Sequence, residues 1–162
     1  MSNHKYLLLF TGALLVNALV ASFQSSPGYM DADYYYSGGV RLANGEGFSE
    51  VTLWNYLDEP EGLPHPSHQY WMPLASIISW LGIKISPLKS SFESAQIMFV
   101  IVASMVPLVT AKLAYSFTGK TKDAMLAGTL AVFSGFYLAF VNTTETFGIY
   151  LLLGGLFCLT TG

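Results

Sequence analysis

The chain has little charge and almost no cysteine. Charged residues make up 10% of its 162 positions, against about 25% in an ordinary soluble domain. Too few charges remain to cover a water-facing surface. The single cysteine, Cys158, excludes an intrachain disulfide and any cysteine-based metal site. Set in an apolar run, it reads as a small buried or lipid-facing side chain. Seven lysines and arginines against ten acidic residues leave a net charge of −3, without the basic patch that nucleic-acid binding requires. Apolar residues are abundant, at 52%, and mean hydropathy is +0.47. The bilayer is the solvent that suits this composition.

Four runs are candidates for crossing it: residues 6–23, 95–117, 124–141 and 147–162. A span needs about 20 apolar residues, each rising about 1.5 Å, to cross about 30 Å of hydrocarbon. Only helices satisfy their own backbone there. The expected fold is therefore all-α and integral to the membrane, a multi-span helical bundle in one transmembrane domain. A fifth stretch, Tyr70 to Ile85, is short, contains Pro73 and includes Lys84 near its end. Charge bias decides its role. Lys5, Lys112, Lys120 and Lys122 all belong on the cytoplasmic side by the positive-inside rule, which requires that this stretch does not cross. It reads as an interfacial helix over 67–85, with Tyr70, Trp71 and Trp80 at headgroup level. The N-terminus is then cytoplasmic and residues 24–94 form one long outer loop. The first run is longer than a signal peptide's apolar core and lacks a small-x-small cleavage pattern, so it reads as an uncleaved span.

An outer loop of that length is functional or disordered, and its tyrosines and tryptophans argue against disorder. A short interfacial helix is expected over 34–44, stopped by Gly45, and a rigid turn over 60–66, PEGLPHP. Three motifs stand out. Asp31 and Asp33 form D-x-D. In an extended segment they face the same way and can hold a divalent cation through hard oxygens, or one can act as general base. The plainer reading is an acidic cap for the helix that follows. His65 and His68 stand at i, i+3. On a helix they share a face, as a metal half-site or a phosphate-binding pair; the plainer reading is a polar loop capped by Ser67. Glu145 follows Thr144 at the start of the fourth span, on the same outer face as Asp31. An acid at a membrane edge suggests a site, while the plainer reading is a first-turn charge complementing the helix dipole. Asn142-Thr143-Thr144 fits the glycosylation acceptor pattern, but so close to the membrane that the match reads as chance.

In order and spacing these motifs resemble the N-terminal part of the GT-C class of membrane glycosyltransferases, nearest to the protein O-mannosyltransferase and lipid A aminoarabinose transferase group. Those enzymes open with one span and a long outer loop. The loop begins D-E-x-x-Y and continues into a helix with Arg-Leu and then Gly. Asp31, Tyr35, Arg41, Leu42 and Gly45 stand at matching offsets, with Ala32 in place of the Glu and Asp33 one residue on. A later K-P-P-L-Y-Y-W-L segment corresponds to HPSHQYWM. There Pro66, Tyr70 and Trp71 match, and His65 replaces the Lys that approaches the lipid-linked phosphate.

The resemblance implies a sugar donor on polyprenyl phosphate in the outer leaflet of a bacterial or archaeal plasma membrane. The acceptor is a hydroxyl on a lipid, protein or glycan, and transfer inverts the anomeric carbon. It casts Asp31 as the base, with Asp33 assisting through a bound Mg or Mn ion or by orienting the acceptor. His65 or Arg41 stabilises the leaving phosphate, and His68, Tyr35 and Glu145 line the same site. Members run to several hundred residues, so this chain is expected to be a piece of a longer enzyme. Two rivals come from other classes. A transporter or channel fragment would use the acidic residues as a cation funnel, yet the first three spans carry no mid-span ionisable residue, which transport pathways usually need. A non-catalytic assembly subunit would use the aromatic loop as a protein interface.

Overall fold

The longest apolar runs become the longest helices. The computed structural model describes residues 2–53, 61–87 and 91–161. Among them are six α-helices and one short hairpin. Helices α1 (Asn3–Ala21) and α4 (Phe92–Thr118) are about 28 and 40 Å long at about 1.5 Å per residue. Both are long and apolar enough to cross a membrane. Between them lie α2 (Met30–Ala43), the two-residue strands β1 (Ser49–Glu50) and β2 (His65–Pro66), and α3 (Leu74–Ile85). The strands pair antiparallel, Glu50 opposite His65. After α4 come α5 (Thr121–Val132), a 3-10 turn (Gly135–Ala139) and α6 (Phe147–Thr161).

Local chemistry sets the ends of α4. Ser91 caps its start, accepting from the Ser94 amide at 3.3 Å, and Gly119 ends it in the left-handed conformation. Polar pairs fix α1 antiparallel to α4. Asn17 donates to Ser104 Oγ at 3.3 Å, and Gln96 donates to Gln24 Oε1 at 2.7 Å. Helix α5 folds back along α4, with Gly128 against Leu9, Ala111 and Pro107. Helix α6 runs parallel to α4, Gly148 beside Val102 and Gly155 beside Val109. Lys5, Lys112, Lys120 and Lys122 therefore gather at one end of the bundle, and Glu93 and Glu145 stand towards the other.

Helices α2 and α3 pack over that acidic end. They meet where Gly39 lies against Ser79 and Trp80; a Cβ on Gly39 would overlap the Ser79 side chain and stand 3.0 Å from the Trp80 nitrogen. Gly82 seats α3 on α4, where a Cβ would meet the Ser94 carbonyl oxygen at 2.5 Å. Lys84 Nζ donates to the Ala43 carbonyl at the end of α2 (3.0 Å), as suits a helix C-terminus. Tyr34, Tyr35, Ala75, Phe99 and Ile149 form the apolar cluster that ties α2 and α3 to α4 and α6.

Several boundaries differ from expectation. Residues 124–141 are not one helix: α5 stops at Val132 after about 18 Å. Phe133 leaves the helical region, and Gly135 has φ +59°, a conformation glycine reaches without steric cost. The expected helix over 67–85 begins only at Leu74, because the chain first turns at His68 (φ 61°). The helix expected over 34–44 begins earlier, at Met30. The second span, expected from 95, begins at Phe92. Pro60 of the expected turn and Gly162 of the fourth run lie outside the described residues.

The packing makes a mutational contrast. Gly82→Val is expected to destabilise the fold by ~1–3 kcal/mol through overpacking. Gly12→Ala, where an added Cβ meets nothing within 4 Å, should be neutral or mildly stabilising through helix propensity. Unfolding midpoints of the two variants in a detergent titration check both.

Candidate functional site

The site begins with the start of α2. Tyr29 is its N-cap, extended and without a side-chain capping bond, so neither aspartate caps the helix. Asp31 and Asp33 stand inside the first turn, where carboxylates complement exposed amides. Because the segment is helical, residues i and i+2 do not face each other. The same-face cation pair expected of an extended D-x-D is therefore not formed. Asp31 and Tyr35 share one face of α2, and Asp33, Ser37 and Arg41 share another.

The Asp31 face meets the segment before α6. Thr143 Oγ1 donates to the Pro27 carbonyl at 2.8 Å, and Thr144 Oγ1 donates to the Ala32 carbonyl at 2.7 Å. These buried bonds hold Glu145 beneath the start of α2, only 3% exposed. Its Oε1 accepts from the Thr146 amide and, at 2.7 Å, from the Thr146 hydroxyl. Its Oε2 is buried without a hydrogen-bond partner. The Tyr29 hydroxyl is buried beside this carboxylate. Burial first, then the negative charge of Glu145, and behind it that of Asp31, push the Tyr29 and Tyr35 phenols well above the usual tyrosine range. Both therefore stay protonated as donors. Two carboxylates and two neutral phenols thus act on one region. Such a set can take a proton from a hydroxyl, orient a polyol, or offer hard oxygens to a cation. Asn142 is fully buried beside it and donates to the Leu138 carbonyl at 2.7 Å, which removes it as a glycosylation acceptor in the folded chain.

The other face of α2 looks onto the hairpin. Asp33, Ser37, Arg41, Ser49, Glu50 and Ser67 line a cavity of about 90 Å³. Arg41 Nη1 pairs with Glu46 Oε2 at 2.7 Å, and its Nε donates to Ser49 Oγ at 3.0 Å. His65 is 5% exposed; its Nε2 lies 3.2 Å from the Thr52 carbonyl and 3.6 Å from Glu50 Oε1. His68 shares no helical face with it, since His65 is on β2 and His68 is in a turn. The His68 amide donates to Tyr34 Oη at 2.7 Å, and its ring packs against Tyr34, Tyr35 and Phe48. Burial pushes its pKa down, opposed by a bond to the Trp71 backbone.

The residues expected at one site thus divide. Asp31, Tyr35 and Glu145 come together; Asp33 and Arg41 lie on the opposite side of α2 with His65 beyond, and His68 packs into the aromatic core. No group of three or more His, Cys, Asp or Glu arranged for a metal occurs among the described residues. Tyr29, Thr143 and Thr144 are additions to the expected set. The signal for them is their position directly beside the acidic motifs. The chain matches no family model, no curated protein and no solved structure.

Two measurements follow from the electrostatics. Glu145→Gln removes the charge that opposes phenolate formation, so the Tyr29 and Tyr35 resonances in ring-labelled NMR spectra should titrate at lower pH than in the parent protein. For His68 the folded pKa lies below the unfolded one. The stability it confers is complete above about pH 6.5 and is lost as pH falls through the folded value. Unfolding midpoints should decline on acidification, and His68→Phe should flatten that decline.

Proposed function

We propose that the chain is the N-terminal part of a membrane glycosyltransferase of the GT-C type, using a sugar on polyprenyl phosphate as donor. Support for the membrane setting comes from the helix surfaces. Only 17% of the most apolar window of α1 and 39% of that of α4 is buried within the molecule. The core helix of a soluble protein is mostly buried. Leu7, Leu8, Leu15 and Leu19 of α1 and Leu151, Leu153 and Phe157 of α6 all face outward, and lipid is the partner that suits such surfaces. Along α4, Glu93 and Lys112 are nineteen residues apart, about 28 Å, close to the hydrocarbon thickness. With the lysine end cytoplasmic, α2, α3 and the carboxylates stand at the outer rim. There a donor's lipid tail remains in the bilayer while its head meets water. The setting is a bacterial or archaeal plasma membrane.

The observation that carries the reading is the convergence of Asp31 and Glu145 on one face of α2, backed by two protonated tyrosines. Asp31, the more exposed of the two, is the base. It takes the proton of the acceptor hydroxyl as that oxygen attacks the anomeric carbon from the side opposite the leaving polyprenyl phosphate, inverting the centre. Glu145, anchored by Thr146, orients the acceptor, and the Tyr29 and Tyr35 hydroxyls donate to substrate oxygens. A divalent cation would be served better by Asp31 with the buried, unpartnered Oε2 of Glu145 than by Asp31 with Asp33. Mg or Mn accepts one or two carboxylates plus substrate phosphate oxygens and would offset charge on the leaving group. Arg41 is the nearest cationic donor on α2, and its pairing with Glu46 must open before it can reach a phosphate.

The test is sugar transfer from a polyprenyl-phosphate donor in membranes carrying the chain within its full reading frame. Asp31→Asn is expected to lower transfer by about 100-fold or more, the scale of general-base catalysis, while Asp33→Asn stays within a few-fold of the parent. Unchanged transfer in Asp31→Asn would remove it as the base.

A further inference from the structure

At the lysine end a groove of about 310 Å³ runs between α4 and α6 and reaches α1. Met105 and Val109 of α4 and Leu152 and Leu156 of α6 form its apolar walls, and Tyr6 and Lys112 also line it. Lys112 is exposed, and no ion pair to it occurs among the described residues. A second groove, of about 530 Å³, lies between α1 and α4 at the other end. Its polar edge holds Gln24, Gln96 and Glu93, and among the described residues no lysine or arginine lines it. The two grooves thus have similar apolar walls and opposite electrostatics.

We propose that the groove beside Lys112 binds one anionic phospholipid of the inner leaflet, its acyl chain against Val109 and Leu156 and its phosphate on Lys112 Nζ. The proposal rests on the membrane setting argued above and is independent of sugar transfer. Three features favour this occupant. Lys112 is about 28 Å along α4 from Glu93, which puts its ammonium at headgroup depth when Glu93 is at the outer rim. The walls named above lie from the level of Lys112 toward the bilayer middle, where an acyl chain extends. An unpaired lysine at the mouth is complementary to a phosphate, and Tyr6, also at the mouth, is a residue type favoured at headgroup level. A packed helix from a second copy would cover the same walls but leave Lys112 without a counter-charge.

The test is native mass spectrometry of the full chain in neutral detergent, titrated with dioleoyl phosphatidylglycerol or dioleoyl phosphatidylcholine. Phosphatidylglycerol is expected to bind as a single retained adduct, about fivefold tighter than phosphatidylcholine, the effect of one lysine near an anionic surface. Lys112→Gln should erase that preference and Lys112→Arg should keep it. Leu156→Trp, filling the groove, should weaken both lipids. The double variant Lys120→Gln, Lys122→Gln should leave the preference in place, since those lysines lie beyond the groove. Equal binding of the two lipids overturns the proposal. So does a loss in the turn variant as large as that in Lys112→Gln, or a dimer that Leu156→Trp dissociates. If the chain is extracted from vesicles by carbonate, the membrane setting falls as well. If it stays embedded and shows no preference, only the lipid site falls.

Discussion

Two threonine hydroxyls hold the acidic end of this molecule together. Thr143 and Thr144 are almost completely buried, and buried hydroxyls need partners. They find them in the carbonyls of Pro27 and Ala32, more than a hundred residues earlier in the chain. The bonds fix the start of α2 over the start of α6 and bring Glu145 to Asp31. The break after α5 permits this. A helix continued from Val132 would carry residues 142–145 in a regular backbone, with no free run to lie across the N-terminal segment.

The direction of α2 then divides the polar residues. Helical geometry turns Asp31 and Tyr35 toward Glu145, and Asp33, Ser37 and Arg41 toward the hairpin. The first group is low in positive charge, with phenols that resist ionisation. The second is a nearly closed arrangement of Arg41, Glu46 and Ser49 beside the paired Glu50 and His65. This difference makes Asp31, rather than Asp33, the carboxylate suited to meet a substrate in the proposed reaction. Along the bundle Lys5, Lys112, Lys120 and Lys122 gather at one end and Glu93 and Glu145 at the other, with uncharged polar pairs such as Asn17–Ser104 between them.

Much of the helical framework was legible in the amino-acid order. Helices α1, α4 and α6 follow from uninterrupted apolar runs, and the grouping of Lys5, Lys112, Lys120 and Lys122 at one end follows from reading 70–85 as a non-crossing helix. The site was legible only in part. Glu145 and Asp31 were expected to share an end of the bundle, and they do. The D-x-D pair misled because its geometry depends on whether the segment is extended or helical, and the helix starts at Met30. The two histidines misled for the same reason: a turn at His68, fixed by the Tyr34 hydroxyl, replaces the helix that would have aligned them. The break in the third apolar run had a local signal, Ser134-Gly135, outweighed by the hydropathy around it. The threonine bonds had none, because contacts across such sequence distances depend on how the helices pack.

Asp31 and Glu145 act on the same two tyrosines at the start of α2, while Asp33 lies on the hairpin side. Short thiol cross-linking tests this arrangement directly in chains with Cys158→Ser. The pair Asp31→Cys with Glu145→Cys is expected to link readily in membranes, and the pair Asp33→Cys with Glu145→Cys to remain unlinked. Efficient linking of the second pair, or none of the first, would contradict that arrangement.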